Sequence, residues 1–227
     1  MTVQTLRHYV YVSDSKLDLL FSQLKPSREK VGAEFGIDFK ILKWTGRRES
    51  DSNVDRIEKL DRVIKFLRKT GQVGTIDEPK SYFEGTLPMS WGPYGSDGSD
   101  SLIYFGGMTS RTVLGLGGSP RHLIGLNLSE GKLLEGMGGG SLAPYLVAKL
   151  VKELGDDLRP GYAPHDLAKH VNPHSLGAVY HATTKMAQPV QSLEFVAKRL
   201  LYGKLNPRDE DRRDVLLGTP IYVALAD

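Results

Sequence analysis

Along the chain, apolar positions change period several times, and each change predicts an element. The run His8 to Ser13, rich in β-branched and aromatic residues and ending at Asp14 and Ser15, predicts a strand that meets a turn or helix cap. Leu17, Leu20, Phe21 and Leu24 then repeat at helical spacing until Pro26. A second helix is expected over Ser27 to Phe35, stopped by Gly36, and a strand over Ile37 to Trp44, followed by a polar loop from Gly46 to Ser52. The longest stripe, Val54, Ile57, Leu60, Val63, Ile64 and Leu67, predicts a helix from Val54 to Lys69 with Ser52 or Asn53 as cap and Gly71 as stop.

From Val73 the helical period disappears until about Ser141. Four short β-type runs, Tyr82 to Met89, Leu102 to Phe105, Arg111 to Leu116 and His122 to Leu126, are separated by turn clusters at Gly92–Asp100, Gly106–Ser110 and Gly117–Pro120. Strands this close in sequence imply an antiparallel meander. Helical spacing resumes from Ala143 to Leu154 and again from Val190 to Leu201, where Leu193, Val196, Ala197, Leu200 and Leu201 fall on one face. Between them, 155–175 reads as a long ordered loop, and Ile221 to Leu225 as a closing strand. The fold class expected is α+β: one domain over 1–227, a mixed sheet whose central glycine-rich antiparallel meander (73–140) is flanked by about five helices, with a β-α-β-α portion (1–72) before it and a helical portion (141–227) after it.

Composition changes this picture little. An apolar fraction of 40% and a charged fraction of 25% allow a buried core. The net charge of +3 is spread along the chain without a run of like charges, which argues against a nucleic-acid partner. There is no cysteine, so no disulfide, thiolate metal site or cysteine nucleophile. No apolar stretch is long enough for a membrane span or a signal peptide, and a cytoplasmic protein is expected.

Glycine does change it: 15 of the 25 glycines lie between Gly85 and Gly140. Glycine inside strands marks a bulge, a left-handed turn or a group pressed against the backbone, and a ligand is one such group. Three places in this segment are candidates. Gly138-Gly139-Gly140-Ser141 runs into a helix start, where free N–H groups and the helix dipole suit a phosphate or carboxylate; the alternative is a plain glycine linker with Ser141 as cap. Gly117-Gly118-Ser119-Pro120-Arg121-His122 pairs a tight turn with an arginine fork and a titratable imidazole, against the alternative of a hairpin turn with Arg121 solvated. Trp91 and Tyr94 could form an aromatic wall for a stacked ring or, alternatively, seal a core edge. Glu84 is the acid of that arm, so Glu84 and His122 are the candidate general bases.

No phosphate-loop, dinucleotide or nucleophile-elbow motif occurs, and no cofactor is implied. His170 and His174 have the spacing of a helical metal pair, but Pro173 between them should break the helix, so no metal site is read here. The leading expectation is a sensor or adaptor that binds a small anionic molecule, nucleotides included. The rivals are a hydrolase or transferase acting on a phosphorylated ligand, and a protein–protein adaptor whose meander edge pairs with a partner strand.

Five segments together carry a resemblance: Tyr9-Val-Tyr-Val-Ser-Asp14, Tyr82-Phe-Glu-Gly-Thr-Leu-Pro-Met-Ser-Trp-Gly-Pro-Tyr94, Tyr104-Phe-Gly-Gly, Thr112-Val-Leu-Gly-Leu-Gly-Gly-Ser119 with His122, and Leu217-Gly-Thr-Pro-Ile-Tyr-Val-Ala-Leu225. On these the chain resembles a family of uncharacterised bacterial proteins, chiefly of actinomycetes. The resemblance implies a free-standing bacterial domain and brings no activity with it.

Overall fold

The computed structural model describes residues 6–24, 52–94, 102–125, 146, 150, 173–204 and 213–226. In chain order the elements are β1 (Tyr9–Val12), α1 (Asp14–Leu24), α2 (Ser52–Lys69), β2 (Val73–Gly74), β3 (Tyr82–Tyr94), β4 (Leu102–Met108), β5 (Thr112–Gly118), a 3-10 turn (Pro120–His122), α3 (Pro173–Thr184), β6 (Val190–Lys204) and β7 (Asp214–Leu225). α2 ends as its glycine predicts. Gly71 has φ of 67°, its N–H reaches Arg68 O at 3.0 Å, and Gln72 N–H reaches Leu67 O at 3.1 Å.

Five strands close on themselves. β3 pairs antiparallel with β4, β4 antiparallel with β5, β5 parallel with β7, β7 antiparallel with β6, and β6 antiparallel with β3. β1 adds to β7 and the two-residue β2 adds to β3. The expected open four-strand meander is therefore corrected to a mixed barrel. β3 to β5 do run antiparallel in succession, but of the strand expected over His122 to Leu126 the described residues 122–125 form none; they begin in the 3-10 turn and make a single bridge, Tyr11 to Leu123, and Leu126 lies outside the described residues.

Helix positions also differ from expectation. Val190 to Leu201 is strand β6, hydrogen-bonded to neighbours on both sides, where a helix was expected. Its centre is buried on both faces, with Leu193, Phe195 and Ala197 in the barrel core and Val196 in an outer layer. The polar–apolar alternation that identifies a half-exposed strand is thereby lost. Pro173, expected to break a helix joining His170 and His174, is the first residue of α3, a helix not expected from the sequence, and His170 lies outside the described residues. In the first turn a missing N–H leaves no bond unmade. Among the described residues there are three helices, together with the helical positions Leu146 and Leu150; the expected 27–35 helix and 37–44 strand lie outside them.

The barrel interior is filled by Phe83, Leu87, Met89, Phe105, Leu114, Leu116, Phe195 and Leu216. Five strands enclose so little space that side chains of this size fit only where facing positions are glycine. A Cβ on Gly85 would lie 2.5 Å from Ile76 Cδ1, and one on Gly218 would lie 2.6 Å from Phe83 Cζ. Outside, α3 packs Ala178, Val179 and Ala182 against β4 and β5, and α1 and α2 cover β1, β6 and β7 through Leu17, Leu60, Val63 and Ile64. A Cβ on Gly117 would lie 2.6 Å from Leu146 Cδ2. Much of the glycine density in the strands is thus a packing requirement.

Candidate functional site at the junction of β1, α1 and the 3-10 turn

One end of the barrel collects titratable side chains from three separate parts of the chain. β1 stops where Ser13 N–H bonds Ile221 O at 2.8 Å, and Ser13 O accepts from Leu17 N–H at 2.9 Å to open α1. Asp14, Ser15 and Lys16 therefore form the first turn of that helix, where the backbone N–H groups have no helical partners. β5 ends at Gly118, and Ser119 Oγ accepts from Arg121 N–H at 3.4 Å to cap the 3-10 turn. That turn is fastened beside β1 by Ile124 N–H to Val10 O at 2.9 Å. α2 supplies Arg56, which donates to Val12 O at 2.8 Å and holds Asp14 through Nη2 at 2.9 Å and Nε at 2.6 Å.

His122 sits at the centre. Its Nε2 is 3.4 Å from Ser15 Oγ, its Nδ1 is 3.8 Å from Asp14 Oδ2, and the ring meets Tyr11 edge-on at 5.7 Å between centroids. Only 16% of the side chain is exposed, and Nδ1 is buried without a hydrogen-bond partner. Burial, followed by the nearby Lys16, lowers the imidazole to about 4; Asp14 pulls it up, and Arg56 and Arg121 push it down. At neutral pH the ring is uncharged, with one nitrogen carrying the proton and the other able to accept a hydrogen bond.

Lys16 is half-buried, its Nζ donates to Ser13 Oγ at 3.2 Å, and among the described residues no carboxylate pairs with it. Burial and the neighbouring Lys198 lower its ammonium to about 8. Tyr11 Oη is buried against the Ser13 side chain and the Ser119 backbone, in a geometry that makes neither a hydrogen bond, and burial raises the phenol. Three cations, Lys16, Arg56 and Arg121, thus act on the His122 ring against one carboxylate, Asp14, which Arg56 already neutralises. The corner is electropositive and has polar groups without partners, an arrangement that suits a small anion.

Of the residues the sequence singled out, Ser119, Arg121 and His122 belong to this corner. Gly117 and Gly118 are buried residues of β5 and form no turn. The position of a Cβ on Gly118 is taken by the Tyr11 hydroxyl. Trp91 and Tyr94 make no common wall: Trp91 stacks on Phe105 of the barrel core at 5.6 Å and donates to Gln191 Oε1 at 2.7 Å, whereas Tyr94 tilts onto Tyr104 of the outer layer. An odd spacing of three along a strand sends side chains to opposite faces. Glu84 accepts from Arg68 Nε at 2.9 Å and Nη2 at 2.6 Å on the face under α2, and none of its hydrogen bonds reaches His122. Gly138, Gly139, Gly140 and Ser141 lie outside the described residues.

Asp14, Ser15, Lys16 and Arg56 were not singled out. The available signal was Ser-Asp-Ser-Lys at a strand-to-helix junction, the same feature that drew attention to Gly138–Ser141. Among the described residues no group of three metal-binding side chains occurs and no helix is long and apolar enough to cross a membrane. A model for a family of unknown function matches residues 7–227, while no curated protein and no solved structure matches the chain.

Proposed function

The chain belongs to the DUF7019 family of unknown function, and on that premise we propose that it binds a small anionic molecule at the β1–α1 corner, as a sensor of that ligand. The observation that carries this reading is Lys16. A half-buried ammonium without a carboxylate partner among the described residues is costly, and a phosphate or carboxylate in reach of it, of Arg121 and of the first-turn N–H groups of α1 would supply the missing counter-charge. Ser15 and Ser119 add hydroxyls at the rim, and the ring of His122 supplies a neutral acceptor or donor. A ligand with one phosphate or carboxylate and little else fits better than one requiring a stacking platform, because Trp91 is already engaged by Phe105.

The test is titration of the protein with inorganic phosphate, pyrophosphate and nucleoside monophosphates, read by the His122 ring signals in NMR and by the melting temperature. Phosphate should shift the His122 signals and raise the melting temperature. Lys16→Met and Arg121→Ala should each weaken binding by about tenfold, the worth of one charge-assisted hydrogen bond. Glu84→Gln should leave it unchanged. If none of these anions moves either readout, the reading is wrong.

A further inference from the structure

Three side chains of the corner stand in a chemically ordered row. Asp14 Oδ2 faces His122 Nδ1 at 3.8 Å, and His122 Nε2 faces Ser15 Oγ at 3.4 Å. The order places a carboxylate, an imidazole and a hydroxyl so that the imidazole turns one nitrogen to each. With the proton on Nδ1 directed at the carboxylate, the lone pair on Nε2 is directed at the hydroxyl, the tautomer a general base needs. Nδ1 is buried with no hydrogen-bond partner, and the carboxylate oxygen facing it is Asp14 Oδ2 at 3.8 Å, which also accepts from Arg56 Nη2. Separations of this size are usual before substrate binds, and shorten when it does.

The surroundings match the same chemistry. Arg56 grips Asp14 through two nitrogens and fixes the carboxylate, while Ser15 is exposed and reachable by a reagent from solvent. It sits in the first turn of α1, where the helix dipole and free N–H groups stabilise negative charge appearing on an attacked carbonyl. Lys16 and Arg121 lie close enough to act electrostatically on His122, and would hold an anionic group of the substrate.

We propose that Ser15 is a nucleophile for acyl transfer, with His122 as its general base, Asp14 as the residue positioning His122, and an ester bearing an anionic group as substrate. Ser15 Oγ forms a bond to the carbonyl carbon as its proton passes to His122 Nε2. The ester C–O bond then breaks, and His122 returns that proton to the departing alkoxide. Water, deprotonated by His122 Nε2, forms a bond to the acyl carbon; the bond from that carbon to Ser15 Oγ breaks, and His122 returns the proton to Ser15 Oγ as the carboxylic acid leaves. The uncharged state of His122 at neutral pH leaves Nε2 free to accept. The nucleophile stands on the geometry alone, whereas the anionic character of the ester rests on the anion-binding reading above.

The experiment treats the full chain with a fluorophosphonate probe, with 4-nitrophenyl acetate and with mono-4-nitrophenyl succinate, and locates the modified residue by mass spectrometry. The expected result is modification of Ser15, a burst of nitrophenol stoichiometric with protein, and faster reaction with the succinate ester than with the acetate. Ser15→Ala should abolish label and burst while keeping the circular dichroism spectrum and melting temperature of the parent, since Ser15 is exposed. His122→Gln should slow the burst on the order of 100-fold. Asp14→Asn should slow it and also remove the downfield Nδ1–H proton signal of His122, which a merely structural role would not move. If Ser15 stays unmodified while phosphate still shifts the His122 signals, the nucleophile is overturned and the anion site stands. If Ser15 is labelled but phosphate has no effect and both esters react equally, the anionic substrate is overturned together with the anion reading.

Discussion

Replacing Lys16 by methionine should make the folded protein more stable at neutral pH, although it removes a hydrogen bond. The folded ammonium is lowered from 10.5 to about 8, and each pKa unit corresponds to about 1.4 kcal/mol, so burying this charge costs about 3 kcal/mol wherever both states are protonated. Between pH 8 and 10.5 the unfolded chain still holds a proton on Lys16 that the folded chain has released, so stability rises with pH across that window. Below about pH 8 the cost is fully present, and above 10.5 it has vanished. Lys16→Met forfeits the bond to Ser13 Oγ, about 1 kcal/mol. The variant should therefore be about 2 kcal/mol more stable than the parent at pH 7 and about 1 kcal/mol less stable above pH 10.5. Urea unfolding of both proteins from pH 6 to 11 measures the difference directly, and titrations common to the two chains cancel in it. Saturating phosphate should narrow the gap at pH 7, because an anion stabilises the charged form. A variant no more stable than the parent at pH 7, or a difference independent of pH, would refute the reasoning.

His122 should behave in the same sense at lower pH. Its folded value of about 4 lies below the ordinary 6.5, so stability present above pH 6.5 is lost as pH falls through 4, by up to about 3 kcal/mol, and acid unfolding of His122→Gln should lack that component. Gly118→Ala puts a methyl where the Tyr11 hydroxyl lies, and should cost about 1–3 kcal/mol in urea unfolding. Tyr11→Phe removes that unpartnered hydroxyl, so it should be close to neutral alone and should relieve Gly118→Ala only in part, because Tyr11 Cζ would still lie 2.7 Å from the new methyl; a double mutant as stable as Tyr11→Phe alone would show that the ring moves aside without cost.

Local signals were legible where one element answers to one face. The α2 stripe, its Gly71 stop and the β1-to-α1 change of period needed only the near sequence, because a helix with one buried side keeps its 3.6-residue pattern. β6 was not legible for the opposite reason: with Phe195 inside the barrel and Val196 under α1 and α2, both faces are apolar, and the run imitates a helical stripe. Half of the candidate site was visible as Ser119, Arg121 and His122. Its other half stands more than a hundred residues earlier in the chain, at Asp14, Ser15 and Lys16.

The sequence by itself determined the strand-and-helix character of the ends, the glycine concentration and the presence of an Arg–His pair, since these depend on composition and near neighbours. Only the tertiary structure decided what the glycines are for and what His122 faces. Closing five strands into a barrel brings Gly118 against Tyr11, and Gly218 against Phe83, across distances no periodicity records. The same closure carries the end of β5 to the end of β1, where the half-buried Lys16 has no carboxylate partner among the described residues and His122 stands between a carboxylate and a hydroxyl. Such contacts are set by pairing and packing between remote segments, and no local pattern in either segment encodes them.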